Sequence, residues 1–333
     1  MFQKILKQHF GIDAIESSAV GRYQSCKNDH QRFVLVPVNQ KDDKELLELE
    51  QIANHFINAG DSSVGIFLPT KENQRILEIE SSKYCVLYWD EKQQRSSTRI
   101  GRRLAKFHYR GRMISFPVQK ISRIGQWKSL WEKRIDQMEM FWKERMQHEP
   151  DHEFDRMFFE SFPYYMAMTE NAIQYLVDTE LDDEPRESDY GTICHIRFSS
   201  QTWGSQVMMK DPFDWVLDHC SRDLAEWTRE QYFNQFQTYE HEVQRFYSEY
   251  QTVNRLSSFS WRLLYARILF PLHYVDCIEE YYSTPSEQKK HVLSDRLEKF
   301  LQRSNDHEQF LRSFFQMVNV PVRHQNIPRI DWL

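Results

Sequence analysis

Thr192-Ile193-Cys194-His195-Ile196-Arg197-Phe198, then Asp211-Pro212-Phe213-Asp214-Trp215-Val216-Leu217-Asp218, then Asp223-Leu224-Ala225, decide how the rest of the chain is read. An apolar run leads into a histidine and a polar loop follows. A second apolar run carries Asp214-Trp215, and a helix opens around Asp223. Short apolar runs that bracket a polar loop read as two paired strands. Such a hairpin gathers a histidine and several carboxylates in one place, with Arg197 among them.

The composition around this segment is that of a folded protein. The chain has 333 residues, enough for a sizeable core and two lobes. Its 23 Phe, 16 Tyr and 9 Trp supply large apolar bodies for that core. The formal net charge is -6 and neither half is strongly basic, so a nucleic-acid role has no support. The start, Met1-Phe2-Gln3-Lys4-Ile5-Leu6-Lys7, lacks the long apolar stretch and small-residue cleavage site of a signal peptide. The most apolar window, Leu263 to Val275, contains Arg267 and Pro271 and is too short to span a membrane. These features imply a protein made and kept in a cytoplasm. Cys26, Cys85, Cys194, Cys220 and Cys277 show no ligand spacing, so they read as buried free thiols and not as a zinc site.

Outward from the quoted segment, the chain changes character near residue 90. Before it, Ala19–Cys26 and Arg32–Val38 read as a hairpin. Lys44–Ala59 reads as an amphipathic helix, and Val64–Leu68, Arg75–Ile79 and Tyr84–Trp89 as further strands. Residues 91–98 read as a linker. After it nearly everything is helical. Arg99–Arg110 stops at Gly111, and Gln126–Met146 carries a broad aromatic stripe. Phe154–Val177 bends at Pro163, and Asp178–Glu187 is an acidic loop. Helices then run over Arg222–Phe233, Thr238–Tyr250, Ser257–Tyr282, Ser286–Arg303 and His307–Met317. The predicted class is α+β: a small mixed lobe (1–90), a hinge (91–98) and a large helical lobe (99–333) with the polar hairpin at 191–215. A kinase-like, two-lobed fold has this order.

Phosphoryl transfer rests on positioning and electrostatics, so the required groups can be sought one by one. A glycine-rich turn should lie near Val20–Arg32, where Gly21 is the sole glycine. The strand lysine that holds the phosphates falls on Val36. The base position, two residues after His195, is Arg197, whose guanidinium stays protonated and cannot accept a proton. The magnesium-binding Asn falls on Thr202. Asp214 does match the second metal-binding carboxylate. A guanidinium close to that carboxylate is attractive: at 4 Å and an effective dielectric of 20, two unit charges interact by on the order of 4 kcal/mol. Arg197 is therefore expected to pair with Asp214 or Asp218 and to fill the metal site itself.

The frame Ile193-Cys194-His195-x-Arg197, Asp214-Trp215 and Arg222-Asp223-Leu224-Ala225 resembles the aminoglycoside phosphotransferase and choline kinase superfamily. Ile100–His108 resembles the helix after that family's hinge. Phe154-Asp155 and the stretches Leu269–His273 and Tyr281-Tyr282 resemble the CotS group of bacterial spore coat proteins. The resemblance covers nearly the whole chain. It implies a protein kinase-like fold, synthesis in the mother cell, and association with other proteins of the endospore coat. Of the superfamily's site residues, His195, Asp214 and Asp223 are kept, with His195 and Asp223 expected to be structural. Val36, Arg197 and Thr202 depart from the pattern. No cofactor is expected beyond weak ATP and magnesium. The leading expectation is a catalytically degenerate kinase fold. The alternatives are an active phosphotransferase using Asp218 or Asp211 as base, and a phosphate or nucleotide sensor in which Arg197 grips the anion.

Overall fold

The computed structural model describes residues 1–91, 99–150, 152–203, 209–323, 325–328 and 330. The chain divides into two compact units: Met1–Ser122 with Gly191–Asp218, and Arg123–Tyr190 with His219–Leu333. Residues 92–98 of the expected hinge and 204–208 of the expected hairpin lie outside the described residues.

The first unit is built on an antiparallel sheet. Its strands are β1 (Glu16–Val20), β2 (Tyr23–Asn28), β3 (Gln31–Pro37), β4 (Ile66–Leu68), β5 (Leu77–Ile79) and β6 (Ser82–Asp90). The order is β1-β2-β3-β6-β4, with β5 also paired to β6. Residues expected as one strand, Ala19–Cys26, are split because Gly21 (φ 55°) turns the chain between β1 and β2. Strand β3 is apolar throughout Phe33–Val36 because both its faces are covered. Phe33 and Leu35 pack with an N-terminal helix, α1 (Phe2–Ile5), continued over Leu6–Phe10 in a wider π turn. The sequence does not predict this helix. Its buried Phe2, Ile5 and Leu6 fill the required spacing, but over too few residues to register as a periodicity.

Helix α2 (Asp43–Asn58) starts at Asp42, whose carboxylate accepts the Glu45 N–H at 2.7 Å. Helix α3 (Ile100–Arg112) runs through Gly111, where the sequence predicts a stop. A Cβ at Gly111 would lie 2.5 Å from Thr192 Oγ1 and 2.7 Å from the Ile193 nitrogen. Gly111 is there to let α3 approach strand β7 (Thr192–His195). That strand pairs antiparallel with β8 (Trp215–Asp218), setting His195 opposite Trp215. An aromatic cluster seats this hairpin: Phe107 stacks on Phe56 at 4.5 Å and lies 5.6 Å from Trp215 and 5.1 Å from His195.

The second unit is helical: α4 (Trp127–Arg145), α5 (Glu153–Asp182), α6 (Ser221–Asn234), α7 (Tyr239–Gln251), α8 (Ser258–Leu269), α9 (Leu272–Ser283), α10 (Glu287–Gln302) and α11 (Ser304–Met317). The acidic loop expected from Asp178 is helical as far as Asp182, because buried Tyr175, Leu176 and Thr179 keep the packing going. The single helix expected over Ser257–Tyr282 is two. Pro271 excludes the helical conformation from Phe270, which is extended. Buried Trp127, Trp131 and Met138 confirm that the aromatic stripe of α4 is core, although Leu130 is exposed. Among the described residues no helix is long and apolar enough to cross a membrane.

Candidate functional site in the β7–β8 hairpin

The hairpin and its loop carry His195, Arg197, Thr202, Asp214 and Asp218. His195 ends β7, buried against Phe107, Phe198 and Trp203, with ring centroids 5.0–5.4 Å away. Arg197 follows in the loop and is exposed. Thr202 holds that loop closed. Its hydroxyl accepts the Ser199 N–H at 2.9 Å and donates to the Arg197 carbonyl at 3.3 Å. Asp214 immediately precedes β8, and its carbonyl accepts the Ile196 N–H at 2.7 Å. Asp218 is buried at the far end of β8. Asp223 is buried in the first turn of α6, in the second unit. Val36 is buried in β3 opposite Cys85.

Two residues beyond those expected from the sequence complete the arrangement. Arg22, in the β1–β2 turn where a phosphate loop was sought, donates to Asp214 Oδ1 at 2.6 Å and lies 3.6 Å from Asp211 Oδ2. Tyr23 donates its phenol to the same Asp211 oxygen at 2.7 Å. The other Asp211 oxygen caps the short turn before β8 by accepting the Phe213 N–H at 2.9 Å. Arg22 thus supplies a guanidinium beside Asp214. A cation directly after the loop's sole glycine was the available signal, but Arg22 and Asp214 are 192 positions apart and no periodicity links them.

The electrostatics follow from this geometry. Burial pushes the Asp211 carboxyl up to about 6, and the neighbouring Asp214 charge adds to the shift. Tyr23, the Phe213 N–H and Arg22 pull the other way. Burial works against the charge on Arg22, but Asp214 first, then Tyr23 and Asp211, outweigh it and hold the guanidinium above its usual range. Burial and Asp211 likewise raise the Tyr23 phenol.

A second polar cluster supports the hairpin from the same unit. Lys210 is buried, its ammonium 2.5 Å from Asp61 Oδ2 and 4.9 Å from the Trp203 ring centroid. Asp61 also accepts from Ser63 at 2.6 Å and Arg110 at 3.1 Å. Burial lowers the Lys210 pKa. Burial opposes the Asp61 charge too, but Lys210 outweighs it and keeps Asp61 below its ordinary range. In a protein kinase the helix after the third strand carries a Glu that pairs with the strand lysine. Here the buried carboxylate of α2 is Glu48, and it accepts backbone N–H groups from Gln119 (2.7 Å), Lys120 (3.2 Å) and Ile121 (3.0 Å). The Ile121 carbonyl in turn accepts the Leu217 N–H at 3.0 Å. Glu48 therefore anchors the loop that holds β8.

Several donors that a magnesium ion would use are already engaged. Asp214 is engaged by a guanidinium, the Thr202 hydroxyl is committed to its own loop, and the Asn position supplies no carbonyl oxygen.

A family described as "Spore coat putative kinase YutH" matches residues 3–314. The endospore coat-associated protein YutH of Bacillus subtilis (strain 168) is 41% identical over 334 residues, covering 100% of this chain and 98% of that protein. Among solved structures, an aminoglycoside phosphotransferase from Alicyclobacillus acidocaldarius superposes with a TM-score of 0.67 at 15% identity, covering 92% of this chain and 93% of that one. Spectinomycin phosphotransferase, in complex with ADP and spectinomycin, superposes with a TM-score of 0.61 at 15% identity, covering 90% and 93%. These likenesses establish the α+β, kinase-like fold expected from the sequence.

Proposed function

The chain belongs to the YutH family of spore coat proteins, and on that premise we propose that it is a kinase-like protein of the endospore coat that acts by binding and not by phosphoryl transfer. The observation that carries this reading is the Arg22–Asp214 contact. A guanidinium from the phosphate-loop position occupies the carboxylate that a phosphotransferase reserves for its metal. Three further features support it. Val36 is apolar where a lysine would hold phosphate, Arg197 stands at the base position, and Glu48 is spent on backbone amides. Its partners on this reading are other coat proteins, reached from the cell that makes it. His195 and Asp223 serve the fold.

The test is ADP release on incubation with magnesium-ATP and a panel of amino sugars and amino alcohols. The reading expects no release above the buffer rate. Release that disappears in Asp214→Ala would overturn it.

One observation favours a second reading, an active phosphotransferase with a rerouted base. A carboxyl with a pKa near 6 suits general base catalysis, and Asp211 is such a group. On that reading ADP release would vanish in Asp211→Asn.

A further inference from the structure

Helix α3 contains Arg102, Arg103, Lys106, Arg110 and Arg112 and no acidic residue. One side of it, including Leu104, Ala105, Phe107 and His108, is buried. Two of the cations serve the fold: Arg110 pairs with Asp61, and Arg103 lies 5.3 Å from the Trp203 ring centroid. The outward side carries Arg102, Lys106, Tyr109 and Met113. Tyr109 is 54% exposed and Met113, at the helix end, 60%. Steps of four, three and four keep these residues on one line, the spacing with which one helix faces another. At 1.5 Å per residue the line is about 16 Å long.

Arg102 and Lys106 form no ion pair among the described residues. Other helix surfaces of the chain neutralise themselves. Lys128 meets Glu132 and Lys143 meets Glu139 on α4, Arg156 meets Glu160 on α5, and Lys290 meets Glu287 on α10. On α3, like charges one turn apart repel instead, so an acidic group laid between them would relieve that repulsion. The chain as a whole carries -6, so a long polyanion meets a repulsive field, whereas a short acidic segment meets only the stripe.

We infer that the outward face of α3 is a docking surface for an acidic amphipathic helix of a partner protein. Its carboxylates lie along Arg102 and Lys106, and an apolar side chain packs on Tyr109 and Met113.

The test uses the full chain and a labelled three-heptad synthetic helix, with Glu at the a and d positions of two heptads and Leu in the third. Fluorescence anisotropy should show saturable binding that weakens as salt rises from about 50 mM to about 300 mM. Arg102→Glu with Lys106→Glu should weaken it about tenfold or more, and a Lys-bearing helix should then bind the variant better than the original peptide does. Tyr109→Ala should weaken binding without changing its salt dependence. Both exposed-site variants should melt with the unsubstituted chain. If the charge reversal fails to fold, Arg102→Gln with Lys106→Gln carries the same comparison. Equal binding of a scrambled helix, or indifference to the substitutions, overturns the inference. So does tighter binding of duplex DNA or phosphatidylglycerol vesicles that is lost in the same variants.

Discussion

Arg22, between β1 and β2, and Asp214, just before β8, are 192 positions apart and meet at 2.6 Å. The side chains are 62% and 40% exposed, so water screens much of their attraction. The contact therefore matters more for what it occupies than for what it stabilises. Arg22→Ala should cost less than about 1 kcal/mol of stability. It should nonetheless free a carboxylate oxygen, so the variant should bind Mn2+ more tightly than the unsubstituted chain in an electron paramagnetic resonance titration. Equal affinity would mean that Arg22 does not guard Asp214.

Asp211 makes a pH-dependent contribution of known sign. Its folded-state pKa, about 6, lies above the ordinary carboxylate value of 3.8. The folded state thus holds this proton more tightly than the unfolded chain, and ionising the group costs stability as pH rises from about 4 to about 6. Asp211→Asn removes that penalty while keeping an oxygen for Tyr23. The melting temperature of Asp211→Asn relative to the unsubstituted chain should therefore rise between pH 4.5 and pH 7. A flat difference would contradict the assignment.

Gly111→Ala tests the seating of the hairpin. The added methyl meets Thr192 Oγ1 at 2.5 Å and backbone at 2.7 Å, and neither is the free end of a flexible chain. Overpacking of this kind costs about 1–3 kcal/mol, measurable as a lower denaturant midpoint. A stabilised Gly111→Ala, as helix propensity alone would give, would show that α3 and β7 can separate freely.

Glu48→Ala should be more damaging than any exposed charge deletion. It strands the N–H groups of Gln119, Lys120 and Ile121, each of which costs about 1–3 kcal/mol if it stays buried and unpaired. Glu48→Gln, which retains an acceptor oxygen, should lose less in the same chemical denaturation experiment. Equal losses would place the effect in packing and not in the hydrogen bonds.

The sequence was most legible where one residue type reports one local event. His195, Asp214 and the apolar runs beside them located the hairpin, and long periodic stretches located α2, α4 and α10. It was least legible where the deciding fact is an approach between distant segments. Gly111 reads as a helix stop in one dimension and is a contact with β7 in three. Phe2, Ile5 and Leu6 are too few to show a period, yet they cover a face of the sheet. Glu48 looks like one more acid of an acidic helix, yet in three dimensions it takes three backbone N–H groups. The site followed the same rule: Val36, Arg197 and Thr202 could be singled out position by position, whereas Arg22 and Tyr23 came beside Asp211 and Asp214 only through folding.

The central claim is that the kinase-like site is closed to magnesium-ATP by its own side chains. Isothermal titration of the full chain with magnesium-ATP tests it most directly, beside Asp214→Ala. The account predicts no saturable heat in the micromolar range and no difference between the two proteins. Saturation at micromolar nucleotide, abolished by Asp214→Ala, would contradict it.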